Sequence, residues 1–578
     1  MSDTRPDHLT WRHWVMALAV LAAFGVVVYR LYELQVVDHQ QYLEQALITR
    51  YGTAEIPAPR GVITDATGYP LAASIDTWDV YIDRFQWHAE PERASTAAIE
   101  LAAFLELDAD TLYSGGLSED TGDLLVRRDI GYERGLALQQ LELWGIRTLP
   151  SAVRTYPEGS LARPIVGHVG IDGVGLWGVE ADYDHVLRGQ PGRLGRELDA
   201  LGRPIAFSRS VEDRPEAGAE VQLTIDRFIQ AIIERELEAA LAEYNAPGGS
   251  ILVMDPRTGA ILGMASRPTI GPAEDALDDP DLADLVRNRP LTDLYEPGSV
   301  LKTLTTAIAL DLGLVTPETT YEDTGVARVG PSEIRNWDFQ AYGVVTVREY
   351  LQRSLNTGAV WLSGEIGAER FYDYLGAFGL GEPTHLGLSG EAEGLIRSPT
   401  DDEWYPIDLA TNAYGQGLAA TPLQVLTAVN AFANDGWLMR PYVVSSIVAD
   451  DEVRTFEPVA VRQVVSAETA ETMAALMRDV VEGVQWHGAR VDGYTVAGKT
   501  GTTIVSIPTG YDFDTTIATF AGFLPYEDPQ VSVLIKIDQP SGGLNLGGQV
   551  AAPVFSRVAS AIMEYLRVPP HDVLVATP

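Results

Sequence analysis

The stretch EPGSVLKTLTTAIALDLG, residues 296–313, says most about the fold and chemistry of this chain. Pro297-Gly298 before a serine is a helix-start signal, the apolar residues that follow recur at helical spacing, and the closing glycine marks a C-cap. The stretch therefore predicts a buried helix that begins at Ser299. Lys302 lies one turn further along the same face. A neutral lysine in that place can accept the serine proton and make the hydroxyl a nucleophile.

This serine–lysine pair is weak evidence by itself, because exposed serines and lysines at helical spacing are common. Lysine usage strengthens it, since only three of the 41 basic residues are lysines: Lys302, Lys499 and Lys536. Arginine stays protonated in proteins, whereas a desolvated lysine can lose its proton. The three lysines therefore point to positions that need an amine, and their chance survival on the surface is the alternative.

Two further short patterns combine hydroxyl, amide and amine groups. Ser354 and Asn356 stand two residues apart where a turn between helices is predicted, and by themselves they are typical of a helix cap. The sequence KTGT, residues 499–502, follows a strand pattern and by itself is typical of a β-turn. Its glycine permits a close approach to the backbone, and its hydroxyls and ammonium can bind a carboxylate.

The three patterns occur in the order S-x-x-K, S-x-N, K-T-G, separated by roughly 50 and then 140 residues. That constellation is shared by the penicillin-binding proteins and the β-lactamases, which are serine acyltransferases. Jointly the patterns are much stronger evidence than any one of them. They predict a serine acyltransferase.

Outside these motifs the chain resembles the class B penicillin-binding proteins almost from end to end. Residues 60–72 are similar to that family's RGxIxDRNGxxLA motif but depart from it at Ala66 and Thr67, where the family usually has Arg and Asn, so the contacts of those two family side chains are not expected here. RTYPEG at 154–159 and GLWGVE at 175–180 are similar to two further motifs. Later landmarks are GQG at 415–417 and AAPVF at 551–555.

The resemblance implies an α+β fold with three parts: an N-terminal transmembrane helix, an elongated mostly-β pedestal domain, and a penicillin-binding transpeptidase domain whose antiparallel sheet is flanked by helices. Strand patterns on both sides of a helical middle region favour the same sheet. The expected boundaries are a cytoplasmic tail at 1–13, an anchor at 14–32, the pedestal at 33–215, the transpeptidase domain at 216–566 and a C-terminal tail at 567–578.

The resemblance also implies roles for the motif residues in forming a covalent acyl-enzyme with a stem peptide that ends in D-Ala-D-Ala. It implies no metal ion and no cofactor. The expected oxyanion hole is formed by the backbone N–H groups of Ser299 and Thr502. The expected catalytic residues are Ser299, Lys302, Ser354, Asn356 and Lys499, and the expected substrate-binding residues are Thr500, Gly501 and Thr502.

Composition excludes several other classes of function. The formal charge is −40 and no basic block occurs, so a nucleic-acid partner is not expected. The chain has no cysteine, which excludes disulfides, thiolate metal sites and cysteine nucleophiles. The acidity fits a large solvated ectodomain or a saline habitat.

An apolar run near the N-terminus predicts a membrane anchor. It covers residues 14–29 and, with Arg30 reaching to the interface, extends to Tyr32, which is about the span of a bilayer core. No A-x-A-like cleavage site follows, so an uncleaved anchor is favoured over a signal peptide. Arg5 and Arg12 precede the run and predict a cytoplasmic N-terminus with the remainder outside the bacterial cell membrane.

Several uses of the same fold remain as alternatives: a D,D-carboxypeptidase, a β-lactamase, a β-lactam sensor, or a scaffold with a vestigial site. The pedestal and the anchor favour a transpeptidase that acts on peptidoglycan stem peptides and lipid-linked precursor and is blocked by β-lactams. The S-x-N motif favours septal division over sidewall elongation. By resemblance, a polytopic glycosyltransferase of the shape–elongation–division family is the expected partner.

Overall fold

The computed structural model describes residues 11–38, 51–120, 122–197, 211–271, 279–449, 452–484, 487–507, 510–543 and 545–571. Parts of the predicted cytoplasmic and C-terminal tails, 1–10 and 572–578, lie outside this range. The α-helices are α1 Trp11–Tyr32, α2 Arg84–Ala89, α3 Pro91–Leu105, α4 Ala109–Gly116, α5 Tyr132–Gln140, α6 Arg163–Val166, α7 Gly178–Asp182, α8 Asp184–Leu187, α9 Arg227–Glu243, α10 Leu282–Leu285, α11 Arg289–Thr292, α12 Leu301–Asp311, α13 Val347–Arg353, α14 Asn356–Ile366, α15 Ala368–Ala377, α16 Pro406–Asn412, α17 Pro422–Asn430, α18 Ala467–Glu482 and α19 Ala551–Tyr565.

The β-strands complete the element list. They are β1 Tyr51–Ile56, β2 Ile63–Thr64, β3 Pro70–Ile82, β4 Leu124–Gly131, β5 Ile146–Thr155, β6 His168–Val169, β7 Gly175–Trp177, β8 Gly192–Glu197, β9 Val211–Asp213, β10 Glu220–Leu223, β11 Gly248–Met254, β12 Ile261–Arg267, β13 Thr320–Asp323, β14 Val326–Val329, β15 Ser332–Arg335, β16 Gly343–Thr346, β17 Trp437–Met439, β18 Val444–Ala449, β19 Glu452–Thr455, β20 Ala460–Gln463, β21 Ala497–Ile507, β22 Gly510–Leu524 and β23 Val531–Asp538.

Helix α1 continues into a π-helical turn at Glu33–Val37. Together they give a span of 25 residues, His13–Val37, with a mean hydropathy of 2.1 and none of its most apolar window buried. Among the described residues this is the one helix long and apolar enough to cross a membrane. The apolar helix predicted from the sequence is therefore present.

The chain separates into two compact units. The first contains Met1–Pro59, Asp76–Ala152 and Gly189–Ala217, and the second contains Arg60–Ile75, Val153–Arg188 and Gly218–Pro578. In the first unit the core collects around Trp87, which is fully buried. A Cβ added at Gly116 would lie 2.3 Å from the Trp87 ring and one at Gly145 would lie 2.5 Å from it, so both positions need glycine to let that indole pack.

In the second unit a five-stranded antiparallel sheet runs in the order β12-β11-β23-β22-β21. Strand β11 is buried at every position, whereas alternating exposure would be expected of a strand with one solvated face. The reason is that Ile251 and Val253 enter one hydrophobic core and Leu252 and Met254 enter another. The sheet is covered by helices on both faces, and β21 is its edge strand next to the candidate site.

The motif residues 60–72, 154–159 and 175–180 all fall in this second unit. At the first motif, Thr67 Oγ1 donates to Asp65 Oδ1 at 2.7 Å, and the backbone N–H groups of Thr67 and Tyr69 donate to the same oxygen. Thr67 therefore closes this turn, although it departs from the family motif. No comparable hydrogen bond can come from Ala66, whose side chain is a methyl group.

Candidate active site

Ser299 lies in a single 3₁₀ turn, Gly298–Val300, that leads directly into α12. This confirms the predicted helix start. Two hydrogen bonds fix the turn: Gly298 N–H donates to Gly415 O at 3.0 Å and Thr503 Oγ1 donates to Glu296 O at 2.8 Å. The nucleophile candidate is thus held on backbone anchored to two other segments.

Close backbone packing at this point depends on glycine. Gly298 has φ +57°, and a Cβ there would lie 2.4 Å from Thr503 Oγ1. A Cβ at Gly415 would lie 2.1 Å from Gly298 O, and one at Gly501 would lie 2.6 Å from Pro297 O. Since real Cβ contacts are not that short, any side chain at these glycines would push apart the segments that frame the site.

The S-x-N motif occupies the turn between α13 and α14. Ser354 has φ +55°, a left-handed conformation that ends the first helix, and Asn356 begins the second. Lys302 Nζ donates to Ser354 O at 2.6 Å, to Asn356 Oδ1 at 2.9 Å and to Ser354 Oγ at 3.3 Å. The predicted turn between helices is confirmed, and it brings the second motif onto the lysine of the first.

The K-T-G motif approaches the same serine from the edge strand β21. Lys499 Nζ donates to Ser354 Oγ at 3.0 Å and to Thr500 O at 3.0 Å. Thr502 Oγ1 accepts a hydrogen bond from Gly547 N–H at 2.8 Å, which leaves the threonine's own hydroxyl hydrogen for another acceptor. Ser354 Oγ therefore sits between the two lysine amines.

Both amines are almost completely buried, with Lys302 0% and Lys499 1% exposed. Burial, and secondly the Lys499 ammonium, hold the pKa of Lys302 well below its ordinary value. Burial lowers the pKa of Lys499 to about 7. A neutral Lys302 has two N–H donors and one lone pair. Ser354 O and Asn356 Oδ1 take the two donors, so in the neutral form the lone pair faces the hydroxyl of Ser354 at 3.3 Å and can accept a hydroxyl proton.

The eight residues predicted from the sequence thus fall on three neighbouring segments: the start of α12 with its 3₁₀ turn, the turn between α13 and α14 with the start of α14, and β21. Lys302, Ser354, Asn356 and Lys499 form one hydrogen-bonded cluster. Among the residues that the structure describes, Ser299 is not joined to this cluster by a hydrogen bond; it lies one turn before Lys302. The one-turn spacing keeps Ser299 and Lys302 on the same face of the helix, and catalytic hydrogen bonds tighten in the substrate complex. Thr500, Gly501 and Thr502 follow Lys499 along β21.

Three residues that support the site were missed by sequence reasoning. Asp323 is buried and accepts from Thr357 Oγ1 at 2.7 Å and from Asn336 Nδ2 at 3.0 Å. Asn356 Nδ2 donates to Arg335 O at 2.8 Å, beside Asn336. Together they fix the orientation of the Asn356 amide. No local pattern marks Asp323, Asn336 or Thr357, because they meet only in the folded chain.

Comparisons with known proteins agree with this geometry. The penicillin binding protein transpeptidase domain matches residues 249–560, and the penicillin-binding protein dimerisation domain matches residues 55–223. The chain is 33% identical to stage V sporulation protein D of Bacillus subtilis, covering 96% of this chain and 86% of that protein. It is 30% identical to peptidoglycan D,D-transpeptidase FtsI of Escherichia coli, covering 98% and 94%.

A solved structure is similar over most of the chain. Penicillin-binding protein 3 of Mycobacterium tuberculosis, in complex with aztreonam, aligns with a TM-score of 0.69 and 28% identity, over 89% of this chain and 98% of that one. The fold and the site define a serine acyltransferase of the penicillin-binding type. The chain belongs to the class B penicillin-binding proteins.

Proposed function

We propose that this chain is a peptidoglycan D,D-transpeptidase that cross-links stem peptides through an acyl-enzyme on Ser299. The observation that carries the proposal is Lys302, a fully buried amine whose N–H donors are directed at the S-x-N motif. Burial holds the pKa of this amine well below its ordinary value, which favours the neutral form that can act as a base. Cross-linking in division or elongation is the activity in this class that uses two stem peptides.

The reaction begins with attack of Ser299 Oγ on the penultimate carbonyl carbon of the donor stem peptide. Lys302 Nζ takes the hydroxyl proton as the new C–O bond forms. The backbone N–H groups of Ser299 and Thr502 stabilise the oxyanion, and one such donor is worth about 3 kcal/mol. Lys499, Thr500 and Thr502 hold the terminal carboxylate, with Gly501 allowing close approach.

Collapse of the tetrahedral intermediate breaks the peptide C–N bond, and the terminal D-Ala leaves. Its amine needs a proton, which passes from Lys302 through Ser354 Oγ; the hydrogen bonds of both lysines to that oxygen support this route. Asn356 orients the donor amide. The acceptor amine then attacks the ester, returns its proton along the same route and releases Ser299. β-Lactams acylate Ser299 in the same way, with opening of their ring, and the resulting acyl-enzyme hydrolyses slowly.

We further propose the cellular setting predicted from the sequence. Residues 14–32 anchor the chain in the bacterial cell membrane, with a cytoplasmic N-terminus at 1–13, a pedestal at 33–215, the transpeptidase domain at 216–566 and a C-terminal tail at 567–578. The N-terminal apolar helix supports a single-pass anchor. A polytopic glycosyltransferase of the shape–elongation–division family is the proposed partner, and lipid-linked precursor the proposed source of stem peptides.

The test is reaction of the full-length detergent-solubilised protein with a fluorescent penicillin and with lipid-linked precursor, with and without that glycosyltransferase. We expect a covalent penicillin adduct on the wild type and none on Ser299→Ala, together with new cross-links. An adduct that persists on Ser299→Ala refutes the nucleophile. Release of D-Ala without cross-links under every condition favours a carboxypeptidase instead.

A further inference from the structure

A short segment beside the S-x-N motif exposes unusual apolar area. Between β15 and β16 the chain presents Trp337, 58% exposed, and Phe339, 75% exposed, and Val344 follows at 72%. Single exposed apolar residues are ordinary on a protein surface, but two large aromatic rings within three residues at the edge of a candidate site are not. We call residues 337–344 the aromatic segment.

The aromatic segment is held rigidly although its rings are exposed. Asn336 Nδ2 donates to both oxygens of Asp323 and to Gln340 O, and Tyr342 N–H donates to Asp323 Oδ2 at 2.9 Å. Tyr342 OH donates to Asp338 Oδ2 at 2.5 Å. A surface held in one conformation loses little entropy when a ligand binds to it.

Phe339 adopts an unfavourable backbone conformation. Its φ is +60°, in the left-handed region that bulky side chains rarely occupy and that asparagine or glycine tolerates. The hydrogen bond from Phe339 N–H to Asn336 O keeps it there. A phenylalanine that is neither buried nor conformationally favoured contributes little to stability, so its ring is better explained by a contact outside the chain.

Two hydrogen bonds tie the aromatic segment and the residues just before it to the S-x-N motif and the residue just before that. Trp337 Nε1 donates to Arg353 O at 3.0 Å, immediately before Ser354, and Asn356 Nδ2 donates to Arg335 O at 2.8 Å. The exposed Arg353 guanidinium stacks over the Tyr342 ring at 4.5 Å. The two exposed rings and a cation therefore border the Ser354–Asn356 side of the site, while the donor's carboxylate is assigned to β21.

We propose that Trp337, Phe339 and Arg353 form the binding surface for the acceptor, the second stem peptide, whose amine resolves the acyl-enzyme. This rests on the proposed transpeptidase function. The donor occupies the edge strand β21 with its carboxylate at Lys499, so the surface beside the S-x-N motif remains for the other substrate. The aromatic rings pack on the acceptor's apolar parts, and Arg353 faces its carboxylates in a chain of net charge −40.

The test separates the two half-reactions in the full-length protein. Acylation by fluorescent penicillin needs no acceptor, whereas transfer of a peptide thioester's acyl group to an amine-bearing stem pentapeptide does. In Phe339→Asn we expect the ratio of aminolysis to hydrolysis at sub-saturating pentapeptide to fall about 5- to 10-fold, with a raised acceptor KM. Penicillin acylation should change by less than about twofold. Val453→Ala, an exposed apolar residue on β19, is the matched control and should change neither.

Stability gives a second readout. Asparagine tolerates the left-handed conformation, so Phe339→Asn should unfold at the same temperature as the wild type or higher, which a structural role for the ring does not allow. An unchanged aminolysis-to-hydrolysis ratio in Phe339→Asn overturns this proposal alone, and so does a parallel loss of acylation. A wild-type protein that is acylated but never forms cross-links refutes the proposed function, and the acceptor surface with it.

Discussion

Two settings of buried cations in the described part of the second unit differ in what offsets the positive charge. Arg60 Nε and Arg154 Nε each donate at 2.7 Å to opposite oxygens of Glu180, a fully buried carboxylate. Lys302 and Lys499 are buried more completely than these two arginines, and their hydrogen-bond acceptors among the described residues are all neutral oxygens. A guanidinium cannot give up its proton and needs the carboxylate, whereas an amine without one becomes neutral and basic.

Burial alone does not distinguish structural cations from reactive ones. The distinction lies in whether a carboxylate accepts the cation's hydrogen bonds. At Glu180 and its neighbour Asp184 two carboxylates offset the two guanidinium charges, and the ion pair network joins the motifs at 60–72, 154–159 and 175–180 to one another. At Ser354 burial lowers the pKa of both lysines, and among the described residues no carboxylate hydrogen-bonds to them to offset this, so acid–base chemistry is possible there.

The largest effect is expected when Lys302 is replaced by a residue that stays charged. In Lys302→Arg the guanidinium stays protonated and cannot accept the Ser299 proton, so penicillin acylation should fall by about 10³-fold or more. Stopped-flow or gel-based acylation kinetics measure this. Lys302→Met is the matched variant: it should lose activity equally but unfold at a higher temperature than Lys302→Arg, because no charge is buried. Acylation by Lys302→Arg at near wild-type rate would contradict the role of Lys302 as base.

The second prediction removes the carboxylate of Glu180 that pairs with Arg60 and Arg154. Glu180→Gln removes the ion-pair partner of Arg154 and leaves Arg60 with only the partly exposed Asp184; breaking a buried pair in this way typically costs 3–5 kcal/mol. Denaturant unfolding should show this loss, while penicillin acylation per folded molecule stays at the wild-type level. Asp184→Asn is the control, because Asp184 also accepts from Arg60 but is partly exposed, and about 1 kcal/mol is expected. Equal losses in the two variants would contradict a special role for Glu180.

Lys302 and Lys499 need opposite protonation states, and the pH dependence of acylation distinguishes them. Lys302 must be neutral, so acylation falls as the pH drops through its lowered pKa; Lys499 must be charged to hold a carboxylate, so acylation falls as the pH rises through about 7. The second-order rate constant should lose up to tenfold per pH unit above that value. Lys499→Arg stays charged and should lose the alkaline limb. An alkaline limb that persists in Lys499→Arg would assign it to another group.

Much of this arrangement could be predicted from the sequence, and the limits have physical reasons. The helix start at Ser299 and the strand around Lys499 follow from local signals, although KTGT lies within β21 and forms no β-turn; the three motifs in order indicated one site. The supporting contacts of Asp323 and Asn336 could not be predicted, because they join residues far apart in sequence. Successive residues of β11 enter two different hydrophobic cores and do not alternate between buried and exposed positions. The hydropathy of the sequence does not reveal this.

The rarity of lysine does not show whether Lys536 belongs to the site, and the folded chain does. Lys536 is the third lysine and is 4% exposed, so scarcity and burial do not separate it from the other two. Its Nζ pairs with Asp538 and lies 5.4 Å from the centre of the Tyr295 ring. By the distinction drawn above, a buried cation with a carboxylate partner is structural.

The smallest predicted effect therefore falls on Lys536. In Lys536→Met the chain loses the ion pair and the contact with Tyr295 but retains both amines at Ser354, so penicillin acylation should stay within about threefold of the wild type. The unfolding free energy should fall by about 1–2 kcal/mol, because the partly exposed Asp538 keeps some of its hydration. Lys536→Arg preserves the charge and should recover most of that loss. If Lys536→Met instead abolished acylation while the protein stayed folded, a carboxylate partner would not mark a cation as structural, and the contrast between the two settings would fail.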